Sequence, residues 1–253
     1  MREKLVAGNW KMHGSRAMAE ALLAELVSGL PLAGVEVAVM PPLPYLAELA
    51  ARHSAKVAFG AQDVSEHPKG AYTGDVAAAM LAEVGCRYVI VGHSERRQYH
   101  REDSALVARK AMAAQAAGLV PVICVGETRA QRESGATEAV VGEQLEAVLA
   151  TCGVAALARA VIAYEPVWAI GTGLTASPDQ AQAVHGFIRG KVAAADATIS
   201  RSLKILYGGS VKPDNALDIF RQPDVDGGLV GGASLVAGDF LAIARAAGAA
   251  VSA

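Results

Sequence analysis

The segment Lys204-Ile205-Leu206-Tyr207-Gly208-Gly209-Ser210 is a short apolar run closed by two adjacent glycines. A run without polar alternation is what a parallel strand covered on both faces requires. Glycine at its end marks a place where the backbone turns tightly or approaches a ligand. The same pattern recurs outward along the chain, at 5–7, 35–40, 57–59, 88–91, 120–125, 161–164 and 229–230. Helical patterns fall between these runs, at 16–28, 46–52, 75–84, 104–117, 136–150, 179–195, 213–220 and 239–247. In the first of them Met18, Leu22 and Leu26 share one face, as a helix lying on a sheet requires. Ser104 is placed to cap one helix, Pro178 to open another, and Gly29 and Gly118 to end two more. Strand and helix alternate without a linker or a change of composition. The expected fold is therefore α/β, one closed (β/α)8 barrel over residues 1–253. An open doubly wound sheet fits less well, because Gly8-Asn9-Trp10-Lys11-Met12-His13-Gly14 follows the first strand where a dinucleotide fold would carry its glycine fingerprint.

Composition narrows the function. With 53% hydrophobic and 19% charged residues, the 253-residue chain buries a large core. Its 23 Lys+Arg against 25 Asp+Glu leave a net charge of −2, with basic residues scattered singly, so neither nucleic acid nor a membrane surface is an expected partner. Any anionic ligand must be caught locally. No charge-free stretch reaches the ~18 residues of a membrane helix, and Met1-Arg2-Glu3-Lys4-Leu5 reads as the start of the fold rather than a secretory segment. Cys86, Cys124 and Cys152, an odd number spaced far apart, suit buried thiols in a reducing compartment, which places the chain in the cytoplasm.

In such a barrel the ligand face lies at the C-terminal ends of the strands, so the polar residues just beyond each apolar run are the candidates. They are Asn9 and Lys11, His93 and Glu95, Glu127, Glu165, Ser210, and the backbone of Gly231 and Gly232. Glu165 follows a buried strand, where a carboxylate losing water becomes a competent base, although a strand-end glutamate also serves as an ion-pair partner. His93 stands where a strand hands over to a short polar helix. Amides there disfavour an imidazolium, leaving a neutral donor for an oxyanion or simply a structural histidine. Lys11 is a cation for a phosphate or enolate oxygen, or a solvated lysine. Two successive strands ending in Gly208-Gly209 and Gly231-Gly232 present bare amides suited to a phosphate. The segment Pro166-Val167-Trp168-Ala169-Ile170-Gly171-Thr172-Gly173-Leu174-Thr175-Ala176 suits a lid that moves and excludes water, since Trp168 and Ile170 would be oddly placed on a bland exposed loop. No His/Cys/Asp cluster has metal-ligand spacing, and His100 does not pair obviously with His93.

Together, Gly8-Asn9-Trp10-Lys11-Met12, Gly92-His93-Ser94-Glu95-Arg96-Arg97, Tyr164-Glu165-Pro166-Val167-Trp168-Ala169-Ile170-Gly171-Thr172-Gly173 and Tyr207-Gly208-Gly209-Ser210 resemble the triosephosphate isomerase family, essentially end to end. That family is itself the reference case for a glutamate base, a neutral histidine and a closing loop. The resemblance implies a TIM barrel and a cofactor-free, metal-free aldose–ketose isomerase of glycolysis and gluconeogenesis. Glu165 would shuttle a proton between C1 and C2 of dihydroxyacetone phosphate and D-glyceraldehyde 3-phosphate through a cis-enediolate, with His93 polarising the carbonyl. Asn9 and Lys11 would hold the substrate, and Glu95 would hold Lys11. Gly171, Ser210, Gly231 and Gly232 would bind phosphate through amides. The loop carrying Thr73 and Gly74 would insert beside Asn9 and Lys11 of a neighbouring subunit in a homodimer, and Cys124 would pack behind the glutamate. The chain departs from the family at Leu174, where the lid usually carries lysine, and carries a familiar variant, His13, after Met12. The alternatives are another sugar-phosphate isomerase or an aldolase, which would need a metal or an inner-strand lysine where Lys204 is poorly placed, and a non-catalytic phosphate-binding barrel.

Overall fold

Each apolar run forms a strand. In the computed structural model, which describes residues 2–171 and 173–251, the strands are β1 (Lys4–Asn9), β2 (Val35–Met40), β3 (Ala58–Ala61), β4 (Tyr88–Val91), β5 (Val120–Val125), β6 (Val161–Tyr164), β7 (Lys204–Tyr207) and β8 (Gly227–Val230). The helices are α1 (Arg16–Ser28), α2 (Leu43–His53), α3 (Ala78–Glu83), α4 (Ser94–Tyr99), α5 (Ser104–Ala116), α6 (Arg129–Glu133), α7 (Thr137–Cys152), α8 (Pro178–Ala195), α9 (Ala197–Ser202), α10 (Ala216–Phe220) and α11 (Ala237–Val251). All neighbouring strands pair in parallel in the order β1 to β8, and β8 returns to β1, with Leu5 opposite Gly227 and Gly8 opposite Val230. The expected α/β barrel is thus closed.

Side chains alternate across the barrel wall with the period of a strand. Leu5, Ala7, Ala38, Met40, Ile90, Val122, Cys124, Ala163 and Leu206 fill the lumen. Val6, Val37, Val39, Val89, Val91, Ile123 and Ile162 face the helices. Because both faces are covered, the strands carry no polar alternation.

Boundaries differ from the sequence reading for local reasons. Asp103, not Ser104, caps α5: its carboxylate accepts the Leu106 N–H at 2.7 Å, and Ser104 becomes the first helical residue. The buried face of α1 is Ala19, Leu22, Leu23 and Leu26, with Met18 only half-buried. Helix α3 starts at Ala78 rather than 75, and α10 at Ala216 rather than 213. Strand β8 begins two residues before its apolar pair. At Gly227, with φ 129°, a Cβ would stand 1.9 Å from the Leu5 carbonyl oxygen, so only glycine lets β8 close against β1.

Candidate active site

A cavity of about 680 Å³ opens at the C-terminal ends of the strands, and Asn9, Lys11, His93, Glu165, Gly171, Ser210, Gly231 and Gly232 all line it. Residues far apart in sequence converge there because every parallel strand delivers its C-terminal end to the same mouth.

Asn9 is the last residue of β1, and Lys11 follows two positions on in a left-handed conformation, φ 51°. That conformation costs a non-glycine residue about 1–2 kcal/mol, so it must be held. The Lys11 N–H donates to Asn9 Oδ1 at 3.0 Å, its carbonyl accepts from Gln62 Nε2 at 2.8 Å, and its ammonium meets Glu95 Oε1 at 2.5 Å. The side chain is therefore aimed before any ligand arrives.

His93 caps α4. Its Nδ1 accepts the Glu95 N–H at 3.2 Å, which assigns the remaining ring proton to Nε2, 2.9 Å from Glu165 Oε1. Glu165 Oε2 accepts the Ser94 N–H at 2.9 Å. Both side chains are buried. Burial alone would lower the His93 pKa, but the charge and hydrogen bond of Glu165, with Glu95 behind, hold it above its ordinary value. Burial likewise raises Glu165, yet His93, the Ser94 amide and Lys11 more than offset it and keep the carboxyl below its ordinary value. Each shift lasts only while the two groups face each other. A carboxylate that swings to a substrate loses the groups that depress it and keeps the burial that raises it.

The backbone makes room for the Glu165 side chain. A Cβ on Gly208 would stand 3.0 Å from Glu165 Cγ. Behind the pair, Cys124 is fully buried, and burial with the neighbouring Glu165 pushes its thiol well above the usual range, so it packs as a wall.

Glu127 is wholly buried and does not line the cavity; it anchors the segment beyond Glu165. Its Oε1 accepts from Tyr164 Oη at 3.1 Å and from Trp168 Nε1 at 3.0 Å, while Oε2 has no partner among the described residues. Trp168 is accordingly half-buried beneath the Arg132 guanidinium, 5.6 Å from the ring centroid. At the far end the Ala176 N–H donates to Tyr207 Oη at 3.3 Å. Between these anchors Ile170 and Gly171 face the cavity and Leu174 is exposed; Thr172 lies outside the described residues.

Beginning beside Glu165, Gly208, Gly209 and Ser210 line the cavity together with Gly231 and Gly232, where a short 3-10 turn, Gly232–Leu235, begins. Leu229 and Lys212 join this lining without having been singled out as site candidates from the sequence, which marked Gly208-Gly209 as a strand end but carried no signal for Lys212. Thr73 and Gly74 do not line the cavity of their own chain. They sit on an exposed loop closed by Ser65, whose Oγ donates to Asp75 Oδ2 at 2.7 Å, and bearing Tyr72 stacked on His67 at 3.8 Å. Lys204 lies at the opposite end of β7, paired with Glu3 at 3.0 Å. Among the described residues no three His, Cys, Asp or Glu side chains are grouped to hold a metal, and no helix is long and apolar enough to cross a membrane.

This geometry agrees with the comparison with known proteins. The triosephosphate isomerase family profile matches residues 4–247. A triosephosphate isomerase of Xanthomonas campestris pv. campestris (strain 8004) is 67% identical over 250 residues, covering 98% of this chain and 100% of its own. One of Stenotrophomonas maltophilia (strain K279a) is 68% identical over 250 residues, again covering 98% and 100%. The chain belongs to the triosephosphate isomerase family.

Proposed function

We propose that this chain interconverts dihydroxyacetone phosphate and D-glyceraldehyde 3-phosphate as a triose-phosphate isomerase, with Glu165 as the base. The observation that carries the assignment of roles is the 2.9 Å contact between Glu165 Oε1 and His93 Nε2 in a cavity that also holds Lys11 and paired glycines. The carboxylate takes a proton from C1 of the ketone and returns it to C2. His93 Nε2–H donates to the oxygen that gains charge and helps move the hydroxyl proton from O1 to O2, and once Glu165 has turned to carbon, burial and the Glu95 amide at Nδ1 keep the ring a neutral donor. Lys11 adds positive charge beside that oxygen, Asn9 a hydrogen bond, and Glu95 holds the ammonium in place. Amides of Gly171, Ser210, Gly231 and Gly232 receive the phosphate. The lid, 166–176, shields the enediolate, which in water would expel its phosphate. These roles need neither metal nor organic cofactor.

Two features support a homodimer in which Thr73 and Gly74 reach a neighbour's Lys11. Met12, next to Lys11, is 95% exposed and so open to a neighbouring subunit. The loop that carries Thr73 stands apart from its own cavity. A single barrel domain over 1–253, a cytoplasmic site and no nucleic-acid or membrane partner complete the reading, supported by three free cysteines and a near-neutral charge.

The test is interconversion of the two triose phosphates by purified protein without added cofactor, followed through a coupled dehydrogenase, with light scattering on the same sample. Background activity with intact phosphate binding would mean a non-catalytic barrel, and a fully active monomer would remove the dimer.

A further inference from the structure

Arg96 and Arg97 adjoin in α4, and the chemistry proposed above uses neither. Arg96 turns outward to Asp63 at 2.8 Å and Glu102 at 2.7 Å. Arg97 turns under the site. Its Nε donates to the Gly92 carbonyl at 3.0 Å, Nη2 to the Cys124 carbonyl at 3.2 Å and Nη1 to Ser104 Oγ at 3.2 Å. All three acceptors are uncharged, and burial pulls the guanidinium below its ordinary pKa. A cation partly withdrawn from water whose direct hydrogen-bond partners are all neutral oxygens is a costly arrangement for stability alone.

The two carbonyls it joins belong to the two backbones that position the acid–base pair. Gly92 immediately precedes His93. It is left-handed, φ 70°, and a Cβ there would stand 2.6 Å from Val107 Cγ2 and 3.2 Å from Arg97 Nη2, so the peptide is confined by Val107 packing and by Arg97 together. Cys124 precedes Val125, whose carbonyl accepts the Glu165 N–H at 2.8 Å. One planar guanidinium therefore ties the backbone entering His93 to the strand that registers Glu165. A fork of fixed geometry performs this where a single ammonium would reach one carbonyl at a time.

We propose that Arg97 is a positioning residue for the isomerisation, clamping the ends of β4 and β5 so that His93 and Glu165 hold their relative placement while the carboxylate moves. This rests on the reading of His93 and Glu165 as the reacting pair. The test compares Arg97→Lys, Arg97→Gln and Ser104→Ala with the parent, measuring kcat, KM for glyceraldehyde 3-phosphate, the inhibition constant of inorganic phosphate, and Tm. Displacing reacting groups by a fraction of an ångström to one ångström predicts that kcat of R97K and R97Q falls about 10- to 100-fold. KM and the phosphate constant should stay within about threefold, because Arg97 hydrogen-bonds to Gly92, Cys124 and Ser104 and to none of the residues assigned to the phosphate. S104A, which removes only the anchor of Nη1, should show the same split at about two- to threefold. R97K with parental kcat overturns the proposal, as does a fall in Tm and phosphate-binding capacity with kcat per binding site unchanged, which is what a purely structural arginine gives. If R97Q fails to fold, R97K and S104A decide. His93→Gln in the same assay separates the two claims: loss there with none in R97K removes the clamp alone, and retention in both removes the reacting pair.

Discussion

The two ends of the barrel both bury charge, and they treat it oppositely. At the N-terminal floor Asp226 is enclosed by Arg2 at 2.6 Å, Arg189 at 2.7 Å and the Ile205 N–H at 2.9 Å. Arg189 also holds Asp224 at 2.6 Å and the carbonyls of Ser200 and Leu203. At the mouth the buried carboxylates are held loosely. Among the described residues Glu127 leaves one oxygen without a partner, and Glu165 rests on a histidine and a single amide. Lys11 stands in a conformation that three neighbours must maintain. The floor is saturated, and saturation gives rigidity. The mouth keeps its charges on partners that can be exchanged, which is what a proton-transfer site needs and what stability alone would not select.

The sharpest way to break this contrast is to remove the exchangeable charge. Glu165→Gln should lower kcat by about 10⁴-fold, or ~5 kcal/mol, the upper range for a positioned base. Tm should fall only modestly, because the amide oxygen still accepts from one of the two donors, His93 Nε2–H and the Ser94 N–H, while its NH2 faces the other. Substantial activity in the coupled assay would sink the role of Glu165. At the floor the opposite split is expected: Asp226→Asn leaves two guanidinium groups facing a neutral amide and should cost about 3–5 kcal/mol in urea unfolding, with kcat per folded molecule unchanged. Equal effects of both variants on both quantities would erase the distinction between the ends.

The mouth was the more legible end in the sequence, for a physical reason. Strand ends are marked by the switch from an apolar run to glycine or a polar residue, and a parallel barrel brings all such ends together, so Asn9, Lys11, His93 and Glu165 could be collected without knowing a single distance. The supports were invisible. Ser94 and Glu165 are partners across 71 positions, and Gln62 and Lys11 across 51. Arg97 reads as one more charge on a polar helix until the Gly92 and Cys124 carbonyls are seen to face it. Boundaries failed where glycine served packing instead of turning, as in β3, which continues through Gly60 and Ala61, and in β8, which begins at Gly227. At the cap of α5 two adjacent residues were both competent, and the side-chain geometry chose Asp103.

Between the two ends lies His185, wholly buried on α8, with Nδ1 3.2 Å from the Asp224 carbonyl and Nε2 without a partner among the described residues. Burial depresses its pKa to about 4 from 6.5, against the weaker pull of that carbonyl and Asp226. Between those values the unfolded chain takes up a proton that the folded chain refuses, so folding stability falls as pH drops from 6.5 towards 4. The loss reaches about 3 kcal/mol at the lower end. His185→Gln should flatten this slope by one proton, whatever it does to stability at pH 7. Urea unfolding at several pH values reads the slope directly, and an unchanged slope would show that the ring takes up its proton in the folded state.

The smallest expected effect tests whether the mouth is held by contacts that must be released. Trp168 donates to Glu127 at 3.0 Å at the start of the lid, and the Ala176 N–H meets Tyr207 at its end, so the segment is anchored at both ends with Ile170 and Gly171 between them. If closing over phosphate breaks the Trp168 contact, the resting lid is favoured by roughly one hydrogen bond, about 1 kcal/mol net. Trp168→Phe keeps most of the ring packing and deletes the donor, so inorganic phosphate should bind about fivefold more tightly and leave more slowly. Unchanged affinity would mean that the contact persists in the closed state and that Glu127 belongs with the saturated charges of the floor. Weaker affinity would mean that it organises the closed lid rather than the open one. Only the first result leaves the two ends of the barrel as different as their hydrogen bonds make them.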